Sequence, residues 1–426
     1  MEIGRCICWI GISLLMACRS EIENSSTFVK YYGGAYDNLF GDVIAMPDNS
    51  FVLVGTTQSF QAGIVDTTRI KPYDVLLIRT DAQGNVVWQK NLGFTGTSEK
   101  GTVIKITKQG NFIIAATVFE AGSTPPKYYM PILSEGRFYA QIWVTQVDNN
   151  GNILWQTILG DSSKVACQVV DIIQSYNGDF IVLGNIDSLK NDVFAQDMYV
   201  ARLDLDGQLL WQKKYGNDGF RHDFSSIVRE VPDSDGEMIW LGSVQASAND
   251  NQNYDIRLVK ADKFGNLIWD YVYPQPPHRE FPTALLSFAN GYRVVAWSER
   301  NKIANSQILE ISRQGELMAI HDVEFNGFLK AGEAVSTSEN SFVLVGQHFL
   351  GNIDALTQGF SIAECLGNGK LIFKESFGGE LNIAENQILP LSLVALRDGT
   401  FAIGGTLRFG QNKMLFLVKT NRWGKI

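Results

Sequence analysis

One motif recurs along the chain and limits what it can fold into. Residues 73–93, YDVLLIRTDAQGNVVWQKNLG, set two alternating apolar runs on either side of Asp81-Ala82-Gln83-Gly84 and end on Trp88 and Gly93. Period-two alternation, β-branched and aromatic residues, and a turn of Asp, Gly and Asn predict a β-hairpin. The hairpin returns as Asp148-Asn149-Asn150-Gly151 into Trp155, Asp206-Gly207 into Trp211, and Asp262-Lys263-Phe264-Gly265 into Trp269. Degenerate copies follow at Arg313-Gln314-Gly315 and at Asn368-Gly369 into Phe373, and the last is Asn421-Arg422-Trp423-Gly424.

A second motif keeps step with the first. A turn followed by an apolar run appears at Phe51-Val52-Leu53-Val54-Gly55, Phe112-Ile113-Ile114, Phe180-Ile181-Val182-Leu183-Gly184 and Met238-Ile239-Trp240-Leu241-Gly242. It continues at Tyr292-Arg293-Val294-Val295, Phe342-Val343-Leu344-Val345-Gly346 and Phe401-Ala402-Ile403-Gly404. Repetition at a spacing of about 50 to 70 residues marks an array of small supersecondary units. Each unit reads as four short strands: an apolar run such as residues 42–46, the Phe-Ile-Val motif, and the two strands of the hairpin. No long segment has apolar residues at helical spacing. The expected fold is all-β, a seven-bladed β-propeller of four-stranded blades, the architecture in which radial packing protects sheet edges.

The chain ends sharpen that expectation. The last hairpin stops at Gly424-Lys425-Ile426, so its outer strand is missing. Phe28, Lys30 and Gly33 fall where Trp88, Lys90 and Gly93 fall in the first complete copy. The N-terminal strand is therefore expected to close the last blade.

Residues 1–17 read as a leader, 18–26 as a tether and 27–426 as a single propeller domain. Arg5 precedes an apolar run, Cys6 to Leu14, too short to span a bilayer comfortably as a helix. The following Leu15-Met16-Ala17-Cys18 resembles the bacterial lipobox, which implies acylation at Cys18 after cleavage. The acidic Glu21 and Glu23 are compatible with outer-membrane sorting, so the address expected is the cell envelope, periplasmic or surface-facing. The mature chain would retain only Cys167 and Cys365, which lack zinc or redox spacing and read as core residues.

The pattern Trp-Gln-Lys-x-x-Gly, an apolar strand, Asp/Asn-Gly-x-Phe-Ile-Val-x-Gly and Asp-x-x-Gly-Asn-x-x-Trp resembles secreted β-propeller-repeat lipoproteins of Bacteroidetes, with SBBP-like repeats. The resemblance spans nearly the whole mature chain. It implies extracytoplasmic binding or scaffolding and carries no shared catalytic residues. The Asp-x-x-Gly-x-x-x-Trp part also resembles quinoprotein-type propeller repeats, in which the Trp docks between neighbouring blades. Ala319 and Phe373 replace that Trp in two copies, and no vicinal Cys pair is present, which argues against a quinone cofactor.

The net charge of −9 and pI near 5.1 argue against a nucleic-acid surface, which needs clustered Lys and Arg. The repeated Trp residues are expected to pack between blades. The Asp-Gly turns are expected to serve turn chemistry, since a calcium loop needs six or more oxygen ligands in fixed order. No metal or cofactor is expected, and no nucleophile elbow, HExxH, P-loop or dinucleotide fingerprint is found.

Function is expected where the repeat breaks. The longest interruptions are residues 56–72 and 120–137, the latter carrying Tyr128 and Tyr129. Connections between blades add Asp37, Glu99, Arg221-His222-Asp223, His278-Arg279-Glu280, Glu333 and Glu385. The candidate binding face is Tyr128, Tyr129, Arg221, His222, Asp223, His278, Arg279 and Glu280, with no catalytic residue assigned. The expected role is a lipid-anchored module that binds or scaffolds an envelope protein or glycan. The alternative is a propeller enzyme, a glycan-active hydrolase or lyase or a quinoprotein-like dehydrogenase.

Overall fold

A computed structural model describes residues 27–34, 36–58, 73–119, 139–160, 166–190, 193–216, 222–247, 250–274, 279–300, 303–325, 328–349, 359–378, 389–409 and 412–426. Among the described residues every regular element is a strand, and there are 28. The leader, Cys18, Tyr128, Tyr129, Arg221 and His278 lie outside them, as does Glu385.

After β1 (Phe28–Tyr32), strands β2 (Asn38–Ala45), β3 (Phe51–Thr57), β4 (Asp74–Thr80) and β5 (Val86–Leu92) form an antiparallel sheet in chain order. The next sheet is β6 (Ser98–Ile106), β7 (Phe112–Phe119), β8 (Ala140–Val147) and β9 (Ile153–Leu159). A third follows in β10 (Cys167–Gln174), β11 (Phe180–Lys190), β12 (Val193–Leu203) and β13 (Leu209–Tyr215).

An eight-stranded sheet comes next, made of two antiparallel halves. The first half is β14 (Asp223–Glu230), β15 (Met238–Ser247), β16 (Asp250–Ala261) and β17 (Leu267–Tyr273). The second is β18 (Arg279–Phe288), β19 (Gly291–Arg300), β20 (Ile303–Ser312) and β21 (Leu317–Asp322). One parallel pair, Tyr254 with Arg279, joins them. Another four-stranded sheet holds β22 (Phe328–Ser336), β23 (Ser341–Phe349), β24 (Gly359–Leu366) and β25 (Leu371–Phe377). The remaining β26 (Leu389–Ala395), β27 (Phe401–Phe409) and β28 (Asn412–Thr420) are completed by β1, whose Phe28 pairs with Lys419.

The repeated residues explain the repeated geometry. The Asp81 carboxylate accepts hydrogen bonds from the Gln83 and Asn85 amides at 2.9 and 2.8 Å, and Gly84 takes φ +76° to close the turn. Asp148 and Asp262 do the same with Asn150 and Asn152 and with Phe264 and Asn266. These carboxylates are used within their own turns, and no group of three metal-ligating side chains occurs among the described residues. The Phe-Ile-Val strands are the most deeply buried, β3 throughout its length. Cys167 and Cys365 are free and buried in the core.

Neighbouring sheets meet in one recurring joint. A Cβ built on Gly84 would fall 2.7 Å from Phe28, on Gly151 3.0 Å from Trp88, on Gly207 2.3 Å from Trp155 and on Gly265 2.9 Å from Trp211. Gly315 faces Tyr271 and Trp269, and Gly424 faces Phe373. At Ala319, where no aromatic is available, the backbone itself comes in: Gly369 lies against the Asp322 carbonyl. A lysine two residues after the aromatic adds a hydrogen bond in several joints: Lys30 to Asn85 (3.0 Å), Lys90 to Asn152 (2.8 Å) and Lys213 to Asn266 (3.0 Å). The Trp residues therefore serve packing, as their repetition implies.

First strands also touch in succession: β2 with β6, β6 with β10, β10 with β14, β14 with β18, β18 with β22, β22 with β26, and β26 with β2. Each carries a bulge, and in three sheets the residue after it is an acid that reaches the next sheet. Asp42 accepts from the Ile104 amide (3.2 Å) and Lys105 (2.7 Å), Asp171 from the Val228 amide (3.1 Å), and Glu333 from the Leu393 amide (2.8 Å). Glu333, expected in a loop, thus lies inside β22, where burial beside Asp42 raises its pKa.

The outermost strands open on aliphatic doublets that remain exposed: Val86-Val87, Ile153-Leu154, Leu209-Leu210, Leu267-Ile268 and Leu317-Met318. Val87 is 63% and Leu154 52% exposed. The turns at the same end add Tyr176, Leu205, Phe264 and Trp423.

Candidate functional site

The opposite end of the eight-stranded sheet, where β14 and β18 begin, holds the four described residues of the expected binding face. His222 immediately precedes β14 and exchanges backbone and side-chain hydrogen bonds with Gln245: the Gln245 amide donates to its carbonyl, and its own amide donates to Gln245 Oε1. Its ring is buried, which lowers its pKa against the opposing pull of Asp197. His222 is therefore neutral near pH 7.

Asp223 is fully buried and is held by Arg257, whose Nη1 donates to its carboxylate at 2.8 Å. Arg257 also grips Asp270 with two parallel bonds, Nε to Oδ1 at 3.0 Å and Nη2 to Oδ2 at 2.6 Å. Burial works against the guanidinium charge, but the two carboxylates outweigh it and raise its pKa. A bidentate grip of this kind fixes orientation as well as charge. Asp223, expected in a connection between blades, thus opens β14 and sits in a buried ion pair.

Glu280, the second residue of β18, is fully buried as well. Neither carboxyl oxygen meets a donor in good hydrogen-bonding geometry, and the Ile256 amide relieves it only in part. Burial, reinforced by the charge of Asp255, pushes its pKa up to about 8. At neutral pH it is mostly the uncharged acid. Arg279 is more open, with its guanidinium 5.7 Å from the Phe281 ring centre and 3.8 Å from the Glu299 carboxylate.

An aromatic ladder connects these residues across the two halves of the sheet. His222 stacks on Phe224 (5.7 Å), Phe224 meets Tyr254 (5.5 Å), Tyr254 meets Phe281 (5.8 Å), and Phe281 stacks on Trp297 (4.4 Å). Its rungs come from β14, β16, β18 and β19, so it spans the parallel junction. Offset and tilted aromatic pairs at these distances stabilise beyond their buried area.

Arg257, Asp270, Asp255 and the ladder were not singled out from the sequence, although one signal was present. Arg257 occupies the register held by Leu76, Trp143 and Tyr199 in the three preceding sheets, and Asp270 that held by Gln89, Gln156 and Gln212. A charge at an apolar register and an acid at an amide register, in one hairpin, mark a buried ion pair.

A second buried acid repeats the theme elsewhere. Glu99 begins β6 inside the fold, accepts from Thr97, and has its other oxygen without a partner. Burial, together with Asp74, pushes its pKa up to about 7 despite bonds from Thr97 and the Phe94 amide. At the other end of the eight-stranded sheet, a cavity of about 260 Å³ lies between its halves, lined by Val231, Glu237, Lys260, Tyr292 and Arg313. Lys260 and Glu237 are paired across its wall at 2.7 Å.

No protein-family model matches the sequence, and no curated protein matches it. Solved structures do. A protein of unknown function from Dyadobacter fermentans superposes with a TM-score of 0.54 at 10% identity, covering 92% of this chain and 97% of that one. An ulvan lyase of a polysaccharide lyase family, solved with a bound glucuronic acid–sulfated rhamnose chain, gives 0.53 at 8% identity, covering 90% and 97%. A puromycin hydrolase mutant gives 0.53 at 11% identity, covering 91% of this chain and 52% of the hydrolase. At such identities the likeness concerns the fold alone, which is of the propeller type.

Proposed function

We propose that this chain is a seven-bladed β-propeller, closed by β1, that is anchored to the cell envelope through Cys18 and binds or scaffolds a protein or glycan. Seven blades follow if the two halves of the eight-stranded sheet are counted separately. The succession of first-strand contacts from β2 back to β2, and the Phe28 and Phe373 joints at either side of the last blade, support closure. In this reading residues 1–17 are a leader, 18–26 a tether, and the rest a single domain, as in SBBP-like repeat lipoproteins.

The binding role rests on the aromatic ladder from His222 to Trp297. It is the place where two blades are fused by a backbone pair, and it forms a stiff floor at the end where the connections between blades emerge. Rigid aromatic support suits either protein or sugar recognition. Arg279, at the open edge of the ladder, offers a planar cation to an acidic partner. Affinity capture of the lipidated protein from its own membranes, compared with an Arg279→Ala, Phe281→Ala variant, tests this. A protein or glycan retained by the parent and lost by the variant is expected; equal recovery by both would overturn the reading.

A glycan-active enzyme is the second reading, and one observation favours it. Glu280 is a largely protonated acid beside Asp255, and a carboxyl that holds its proton near neutral pH is what general acid catalysis uses. An ulvan lyase among proteins of similar fold is consistent with it. Loss of polysaccharide cleavage in Glu280→Gln, with binding retained, would support it over the binding module.

A further inference from the structure

We propose that the end of the molecule carrying the aliphatic doublets rests on the lipid surface that holds the anchor. The inference deepens the anchored reading above and depends on acylation of Cys18.

Most of the exposed large apolar side chains among the described residues gather at one end, although Tyr36 is exposed at the other and Ile158, Tyr271 and Ile320 lie further along the outer strands. Five outer strands begin with two consecutive exposed aliphatics, and Tyr176, Leu205, Phe264 and Trp423 lie in turns at the same end. In an antiparallel four-stranded sheet the turns after the first and third strands share one end, and here they touch: Arg202, closing β12, bonds Asp179 in one turn and the Lys263 carbonyl in another. Apolar side chains gathered at one end in this way mark a docking surface.

The position of β1 identifies what docks there. Phe28 pairs with Lys419, the penultimate residue of β28, directly before the turn that carries Trp423. Its ring reaches Gly84, in the turn immediately preceding Val86-Val87. The chain therefore enters the fold at the apolar end. From Cys18 to Thr27 it has nine residue steps, a reach of about 30 Å when extended. An acyl chain at Cys18 holds that end near a bilayer, where Val, Leu, Ile and Trp gain from leaving water.

Charge refines the choice of surface. Asp81, Asp148 and Asp262 lie beside the doublets with carboxylates stabilised by their turn amides and neighbouring Asn side chains, so they stay ionised. A lysine stands beside each of them, Lys30, Lys90 and Lys213, so the rim carries charge of both signs, which suits a zwitterionic surface.

The test uses the full lipidated chain in phosphatidylethanolamine–phosphatidylcholine vesicles. A fluorophore is placed at Leu210→Cys or, as the control at the other end, Tyr36→Cys, and quenched by spin-labelled lipid. Quenching at 210 and none at 36 is expected. A Val87→Ser, Leu154→Ser, Ile268→Ser, Met318→Ser background should keep fatty acid and vesicle attachment yet lose the quenching. Attachment without quenching at 210 overturns this inference and leaves the anchor intact, whereas absence of fatty acid from Cys18 overturns the anchor itself. Shielding of position 210 in cells but not in pure vesicles would assign the face to a protein and also overturn the inference.

Discussion

The ring of Phe28 lies against Gly84, so the first described strand, which completes the last sheet, also packs on the sheet that follows it in the chain. Phe28 and Trp88 are thus equivalent parts of successive joints. Deleting residues 27–34 removes a strand and a joint together. The melting temperature should fall further than for any loop deletion, and a calorimetric scan of the two kinds of truncation decides it.

The glycine side of the joint is as constrained as the aromatic side. Gly207 combines φ +79° with a built Cβ 2.3 Å from Trp155. Gly207→Ala should cost roughly 1–3 kcal/mol through backbone strain and displacement of the indole. Gly110→Ala, at φ +82° but with open space around it, should cost less, which chemical denaturation of both variants will show.

Arg257 donates to the fully buried Asp223 carboxylate at 2.8 Å. Arg257→Ala would break this buried ion pair, a loss of about 3–5 kcal/mol. Replacing the ion pair as a whole, with Arg257→Leu, Asp223→Asn and Asp270→Gln, should recover most of it, because the register then resembles that of the preceding sheets. Urea midpoints of the single and triple variants provide the comparison.

Glu280 and Glu99 make stability fall as pH rises. Their folded pKa values, about 8 and about 7, exceed the ordinary glutamate value of 4.5, so the folded state holds protons that the unfolded state releases. Their stabilising contribution is complete below pH 4.5 and is lost between there and pH 7–8. For either group the slope is at most about 1.4 kcal/mol per pH unit. Glu280→Gln should flatten the stability profile over this window and raise the melting temperature at pH 7.5; an unchanged profile would show that Glu280 is already ionised.

Much of the fold could be read because the chain states the same thing repeatedly. Asp81, Gly84 and Trp88 carry local turn chemistry and a two-residue period, and both survive into the structure without reference to distant contacts. The match of Phe28 and Lys30 to Trp88 and Lys90 reached further, since it placed a strand against a partner almost four hundred residues away. The candidate site was less legible. His222, Asp223 and Glu280 looked like loop charge because loop and strand start are indistinguishable at that position, and only the register with Gln245, Arg257 and Ser298 buries them. The ladder escaped notice because its rings come from four strands and follow no sequence spacing.

The completion of the β28 sheet by β1 has a consequence for the chain as a covalent object. If every joint is equivalent, the termini mark only where the loop of polypeptide happens to be cut. Ligating residue 426 to residue 27 and reopening the chain between Gly151 and Asn152 should give a permuted protein with the same sheets, its break two sheets further on. An anchor fused to the new terminus would turn a different blade towards its attachment point, so the covalent break, rather than the fold, decides which flank of the molecule is tethered.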